Sequence, residues 1–412
     1  MKIDKIIFYY PSRQTGGTQY LFKRSAEYLA ENQDEYKIYY MDYQDGFSRR
    51  NIKSDKVLFL DYSEDNLLHI DDGSIIIAQL NMIGQYSRFL TFDKSKSAIL
   101  FWCLHATNIR SNLTIRGNIF LVSKRKRRQI GKILHELSKI GVVKFMVYHS
   151  CFDIFKDLYY DTPVLEWLPN IIEQNENSKM PSFSRLESSV VRFCWLGRLD
   201  AEKARNIITY MNELESLCKN IPVRLSLIGL GPAKNMLQEK AKYYSYPIDF
   251  VGEKREQNLD LYIRNETEIG LASGTSALEF AIRGKPVIVD WVIDKVFDAG
   301  ERSKYTLIHE DEDINTSIKD RLVRNSEATF ITKVNQILAD YEGKSKAEYI
   351  YAKQKTITSG CNKLIASVRA ISSLEHKIVV PQIRKIEQIC RTAERRRAVI
   401  SWGYSIFKKV FK

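Results

Sequence analysis

Ser276-Ala277-Leu278-Glu279-Phe280-Ala281-Ile282-Arg283-Gly284-Lys285-Pro286-Val287-Ile288 is the stretch on which the reading of this chain turns. Apolar side chains and good helix formers surround a single carboxylate at its start, so a helix is expected from Thr275 to Arg283. Gly284 is a stop signal, and Pro286 cannot continue a helix. The β-branched run after Pro286, ending at Val289, then reads as a buried strand. Upstream, Ile269–Leu271 is short, apolar and strand-like, and Ala272-Ser273-Gly274 is a loop. Strand, loop, helix and strand in this order form the unit from which parallel sheets are built.

The same alternation extends in both directions. Towards the N-terminus come strand Val191–Leu196, loop Gly197–Lys203, a helix through Ile207, Met211, Leu214 and Leu217, strand Val223–Ile228, loop Gly229–Pro232, a further helix, and strand Ile248–Val251. In the first half, strands are expected at Ile6–Tyr10, Tyr36–Met41, Lys56–Leu60, Ser74–Ala78, Ala98–Leu104, Val142–Tyr148 and Val164–Leu168, with a helix through Leu21, Tyr28 and Leu29 after Gly16-Gly17. This pattern predicts an α/β fold with two doubly wound, mostly parallel sheets. Residues 171–190 break the pattern, being rich in Asn, Glu, Ser and Lys around Pro181, and read as a linker. The expected division is therefore 1–170, linker 171–190, 191–345, and a C-terminal helical extension over 346–412.

A chain of 412 residues exceeds one ordinary domain, which agrees with two sheets. The longest apolar run, Ala98–Leu104, is far too short to cross a bilayer as a helix. Met1–Lys5 leads straight into Ile6–Tyr10 without the features of a signal peptide, so a cytoplasmic protein is expected. The six cysteines are scattered with no Cys-x-x-Cys pair, which fits reduced thiols. The six histidines are isolated and no acidic cluster has ligand spacing, so no metal site is expected.

Charge is unevenly placed. Residues 377–412 hold ten Lys/Arg and two Glu, so that tail supplies +8 of the net +13. A second block is Lys124-Arg125-Lys126-Arg127-Arg128, at the start of a helical stripe made by Ile133, Leu134, Leu137 and Ile140. Such blocks attract phosphate-rich partners. They lack aromatics interleaved along a groove and lie apart from the glycine turns, so nucleic acid is not the expected partner.

Four glycine-containing turns sit between expected strands and helices: Gly16-Gly17, Gly197-Arg198, Gly229-Leu230-Gly231-Pro232, and Ser273-Gly274-Thr275-Ser276. At the carboxyl ends of parallel strands, helix N-termini offer N–H groups to an anion, so a phosphate-bearing ligand is the natural occupant. None of the turns is a Walker A loop or a Gly-x-Gly-x-x-Gly fingerprint.

Phe193-Cys194-Trp195-Leu196-Gly197-Arg198-Leu199-Asp200-Ala201-Glu202-Lys203, Leu227-Ile228-Gly229-Leu230-Gly231-Pro232, Phe250-Val251-Gly252 and the run 276–288 together resemble the donor-binding half of GT-B glycosyltransferases, of the family 4-like group that builds bacterial surface polysaccharides. Pro169-Asn170 and Gly16-Gly17 extend the resemblance more loosely, from Ile6 to about Tyr341. It implies two Rossmann-like domains facing across a cleft, a nucleotide-diphosphate sugar as donor, no further cofactor, and a glycan or lipid-linked saccharide acceptor in the N-terminal domain. Arg198 and Lys203, five positions apart, would neutralise the leaving diphosphate without a metal. An unpartnered carboxylate in an apolar helix is costly, so Glu279 needs a partner; the resemblance implies that the ribose hydroxyls donate to it. Thr275 and Ser276, with Gly16, Gly17, Gly197, Gly229 and Gly274, would line the donor. His105 stands where retaining members carry a histidine against the donor sugar. One departure stands out: the family's first glutamate, eight positions before the second, is replaced by Leu271. Retention is favoured over inversion; an inverting enzyme would need a base, for which Asp42, Asp61 and His149 end strand-like runs. A non-catalytic homologue acting as partner or scaffold is the alternative, and a nucleic-acid-binding protein a remoter one.

Residues 399–412 on a helix place Val399, Trp402, Ile406, Phe407, Val410 and Phe411 towards one side, with Lys408, Lys409 and Lys412 opposite or flanking. That is the pattern of an interfacial helix on an anionic membrane surface, and it places the protein at the inner face of the cell membrane. The competing reading is a helix crossing back onto the N-terminal domain.

Overall fold

The computed structural model describes the chain outside residues 1–2, 66, 86, 88–89, 93–96, 105–106, 116–118, 147–153, 161–167, 169–170, 173–179, 290–304, 311–328, 373–375 and 411–412. It divides into two units, one formed by Met1–Asn170 with Ile357–Lys412 and the other by Ile171–Thr356.

The first unit opens with β1 (Lys5–Tyr9), α1 (Gly17–Asn32), β2 (Lys37–Asp42), α2 (Phe47–Asn51), β3 (Leu58–Asp61), β4 (Leu68–Ile70), β5 (Ser74–Gln79), β6 (Leu90–Phe92), β7 (Ala98–Cys103), α3 (Thr107–Leu113), β8 (Thr114–Ile115), β9 (Ile119–Phe120), α4 (Lys124–Lys139) and β10 (Val143–Phe145). Its main sheet has the order β10-β7-β5-β1-β2-β3 and is parallel throughout, with Ile7 opposite Tyr39 and Ile76. Every residue of β5 and β7 is buried, because helices cover both faces of a parallel sheet and exclude polar alternation. Two small pairs, parallel β4–β6 and the antiparallel β8–β9 hairpin, lie outside that sheet. Their strands of two or three residues are too short for periodicity to reveal.

The second unit follows as β11 (Val191–Leu196), α5 (Ala201–Leu217), β12 (Val223–Ile228), α6 (Lys234–Ala241), β13 (Ile248–Gly252), α7 (Glu256–Glu266), β14 (Ile269–Ala272), α8 (Thr275–Ala281), β15 (Val287–Val289), β16 (Thr306–Leu307), α9 (Phe330–Ala339) and α10 (Tyr341–Lys353). The sheet order is β13-β12-β11-β14-β15-β16, parallel except for the antiparallel β15–β16 pair at the edge. Order reverses beside β11, the first strand of the unit, which places the β11 and β14 loops together at the switch point where α/β sheets bind ligands. Trp195, Met211, Leu271 and Phe330 build the core on one face; Ala277, Phe280, Val289 and Tyr349 build it on the other.

The chain then returns to the first unit through α11 (Ile357–Ser372) and α12 (His376–Val410). The boundary expected at 345 falls inside α10, and the change of unit comes at Ile357. Residues expected to be linker are also part of the second unit: Ile172 is fully buried and pairs with Thr356, Phe183 packs edge-on against Tyr349, and Arg185 reaches Glu268 at 2.6 Å. Polar composition suggested a tether there, but a few apolar and charged anchors suffice to bind it down. Ile383, Ile386, Ile389, Cys390 and Ala393 of α12 are buried in the core of the first unit, whereas Val399, Ile400 and Trp402, within the segment to which the crossing-back reading applied, are exposed. Among the described residues, no helix is long and apolar enough to cross a membrane, and five cysteines are free thiols.

Candidate functional site

In the second unit, the loop after β11 runs beside the loop after β12. Gly197 N–H donates to Ile228 O at 3.1 Å, Leu199 N–H to Leu230 O at 2.9 Å, and Ala233 N–H to Leu199 O at 2.8 Å. The approach requires glycine: Gly229 and Gly231 have φ of +148° and +159°, and a Cβ on either would lie 1.9 Å from Gly197 O or 2.3 Å from Leu199 O.

Asp200 organises the cations of this loop. As N-cap of α5, its Oδ1 accepts from Lys203 N–H at 2.9 Å, and its Oδ2 lies 3.2 Å from the Arg198 guanidinium. Arg198 remains largely exposed, at 59%. Lys203 extends from the first turn of α5 to the loop after β14, where its Nζ donates to Ser273 Oγ at 3.0 Å. Two loops seventy residues apart thus share one ammonium group. Gly274, at φ +62° and ψ −137°, supplies the turn into α8, a conformation that a side chain would strain. Thr275 and Ser276 open α8 directly after it.

Glu279 is buried in α8 and already has a cation: Arg283 Nη1 lies 2.7 Å from its Oε2 and also donates to its carbonyl. Arg283 Nε reaches Asp260 at 3.0 Å, and Arg264 reaches the same carboxylate at 2.8 Å. The burial cost expected of Glu279 is therefore offset by an i, i+4 partner in the turn that ends α8. That spacing was visible in the sequence; the role of Asp200 was too, as an aspartate directly before a helical run. Leu271, at the position of the missing glutamate, is a fully buried core residue of β14 opposite Trp195.

The remaining candidates belong to the first unit. Gly16 is the N-cap of α1 with ordinary extended backbone, and a Cβ on Gly17 would meet nothing within 4 Å. His105, His149 and Pro169-Asn170 lie outside the described residues. Asp42, one of the three possible bases, is fully buried and accepts four main-chain N–H groups: Ser12 at 2.9, Tyr43 at 2.9, Ser48 at 2.8 and Arg49 at 3.2 Å. Burial pushes its carboxyl up and these donors pull it down. Asp42 thus ties the turn after β2 to the start of α2. Asp61 is exposed and pairs with Arg49 at 2.7 Å. A cavity of about 660 Å³ lies at the carboxyl ends of β2 and β3, lined by Arg13, Tyr43, Asp45, Asp61 and Tyr62 among others.

Compared by sequence, the chain matches no protein-family model and no curated protein. Compared by structure, it is similar to the N-terminal domain of a Candida albicans trehalose-6-phosphate phosphatase, with TM-score 0.51 and 12% identity over 90% of this chain and 97% of that one. It is similar to a trehalose-6-phosphate synthase studied for enzymatic glycosyltransfer with retention, with TM-score 0.50 and 10% identity over 89% and 99%. A Staphylococcus aureus TarM variant, in complex with UDP, fondaparinux and α-GlcNAc-glycerol, gives TM-score 0.44 and 14% identity over 74% of this chain; the match spans 56% of the TarM chain. At these identities the likeness speaks for architecture, and the two sheets with their shared helices are those of the GT-B glycosyltransferase fold.

Proposed function

We propose that the protein transfers a sugar from a nucleotide-diphosphate donor to a saccharide acceptor. The observation that carries this reading is the meeting of Lys203 and Ser273 at the carboxyl ends of β11 and β14, beside Arg198, in a GT-B fold. Two cations at a strand-end loop suit a leaving diphosphate: they stabilise the negative charge that grows as the glycosidic C–O bond breaks. The acceptor hydroxyl forms the new C–O bond and passes its proton to the oxygen of the departing diphosphate. Glu279 faces the ribose in this reading, with Arg283 fixing its carboxylate. By the resemblance alone, His105 and Gly16-Gly17 of the first unit remain candidates for recognising the donor. Retention is favoured, in keeping with the synthase among the structural neighbours.

The acceptor occupies the first unit, where the cavity beside Tyr43 and Tyr62 offers aromatic and carboxylate partners of the kind sugars use. We take it to be a lipid-linked saccharide in bacterial surface-polysaccharide assembly, at the inner face of the cell membrane, with the protein held there peripherally through residues 399–412. Incubation of the protein and membranes with a panel of nucleotide sugars tests the reading. Release of nucleoside diphosphate that needs both membranes and one particular donor is the expected result. Failure of every nucleotide diphosphate to bind in a calorimetric titration favours the non-catalytic homologue instead.

A further inference from the structure

The two basic blocks, about 270 residues apart in sequence, come together in the first unit. Arg396 Nη1 donates to Leu121 O at 2.7 Å, and Arg397 Nη2 donates to Ser111 O at 2.7 and Thr114 O at 2.8 Å. Leu121 stands two residues before Ser123, the N-cap of α4, and the block Lys124–Arg128 begins there. Lys124, Arg125, Arg128 and Arg395 are exposed, and none of Arg125, Lys126, Arg128 and Arg395 has an acidic partner among the described residues. Asp157, whose main-chain carbonyl accepts from Arg127 at 3.2 Å, has its carboxylate paired with Arg110 at 3.4 Å. Arg127 lies over the rings of Phe120 and Tyr159, and Lys124 over Tyr159, which holds these cations along the surface. Large apolar side chains stand in solvent close by in the chain: Ile119, two residues before Leu121, at 60% exposure, and Val399, Ile400 and Trp402, within two turns of Arg396 and Arg397 on α12, at 68%, 48% and 69%.

We propose that the start of α4, the β8–β9 hairpin and the last turns of α12 form one preformed surface that binds an anionic lipid bilayer. This deepens the membrane part of the function above and is independent of the chemistry at Lys203. The charge selects anionic headgroups, and the exposed Trp and aliphatic side chains select the headgroup and acyl boundary beneath them. A nucleic acid would satisfy the cations but offers the aliphatic side chains no apolar phase. Arg396 and Arg397 clamp α12 to main-chain carbonyls, so the helix direction is set before any membrane is met.

The test is co-sedimentation of the full chain with vesicles of phosphatidylcholine alone and of phosphatidylcholine with phosphatidylglycerol in equal parts. Three proteins are compared: the wild type, the triple variant Lys124→Glu, Arg125→Glu and Arg128→Glu, and the variant lacking 399–412. Thermal unfolding accompanies each. The expected result is binding to the anionic vesicles only, weakened by about tenfold or more in the triple variant at unchanged melting temperature, and lost on truncation. Wild-type binding by the triple variant with loss on truncation overturns the composite surface and leaves a tail acting alone. Equal binding to both vesicles, or none by the wild type, overturns it and the membrane reading together. Displacement of the protein from anionic vesicles by an equal mass of duplex DNA overturns it in favour of a nucleic-acid surface.

Discussion

Both units place an aspartate where a parallel strand hands over to a helix, and the two carboxylates meet different fates. Asp42, ending β2, is enclosed by the main chain, with both oxygens accepting N–H groups from Ser12, Tyr43, Ser48 and Arg49. Asp200, capping α5, gives one oxygen to Lys203 N–H and leaves the other for a side-chain cation, Arg198. The first is fully buried and closes a turn. The second is partly exposed and holds a charged group at the rim of a loop. A carboxylate at a strand end is therefore no guide to chemistry until its hydrogen bonds are counted. The same distinction separates Glu279, paired with Arg283 in the turn that ends its helix, from Lys203, which reaches across to another loop.

The largest expected effect comes from Asp42→Ala, which leaves four N–H groups without their acceptor in a buried turn. A loss of about 3 kcal/mol or more is expected in urea unfolding, with any activity per folded molecule little changed. Normal stability with lost turnover would keep Asp42 among the candidate bases and break the contrast with Asp200. Next, Lys203→Ala should cut turnover by about a hundredfold while the melting temperature holds. Arg198→Ala should act alike, and Arg198→Lys should rescue poorly because a point charge does not replace a planar fork. Full activity in the alanine variants removes the diphosphate assignment.

Asp200→Asn sharpens the comparison, since the amide oxygen can still cap α5 but carries no charge for Arg198. Turnover should fall by about tenfold at nearly constant stability, and kinetics beside thermal unfolding read both. A large stability loss instead would make Asp200 the equivalent of Asp42.

The smallest effect concerns Lys285, at the turn between α8 and β15. Burial lowers its amine from 10.5 to about 8, against the attraction of Glu268 and with some repulsion from Arg264. Between those two values the unfolded chain binds the proton and the folded chain does not, so this group makes stability rise with pH from about 8 to 10.5. Lys285→Met should flatten that rise in the difference between wild-type and variant unfolding curves. An unchanged slope means the amine keeps its proton when folded.

Much of the architecture was legible because it depends on short-range regularities. The runs Val191–Leu196, Val223–Ile228 and Ser74–Gln79 announce strands by their predominantly apolar character, interrupted only by Arg192, Arg224 and Ser226 and flanked by Ser74 and Gln79, and the glycine turns mark the handovers between them. Gly229 and Gly231 are demanded by close backbone approach, so even their identity was informative. The short strands β4, β6, β8, β9 and β16 were illegible because two or three residues carry no period. At the site, the candidates Arg198, Lys203, Glu279 and Ser276 were readable as residue types at suitable spacing. Which of them had partners was not.

The amino-acid sequence by itself determined the order of the longer strands and helices, the points at which the backbone must turn, and the unequal placement of charge. These follow from side-chain volume, φ preference and local periodicity, all acting within a few residues. Tertiary structure alone decided that Lys203 meets Ser273, that Ser12 helps to saturate Asp42, that the chain re-enters the first unit at Ile357, and that Arg396 is clamped to Leu121 beside the second basic block. Each of these joins residues 30 to 275 positions apart. Such pairs form only when whole sheets and helices have packed, because burial of their shared apolar surface is what offsets the chain entropy of bringing them together.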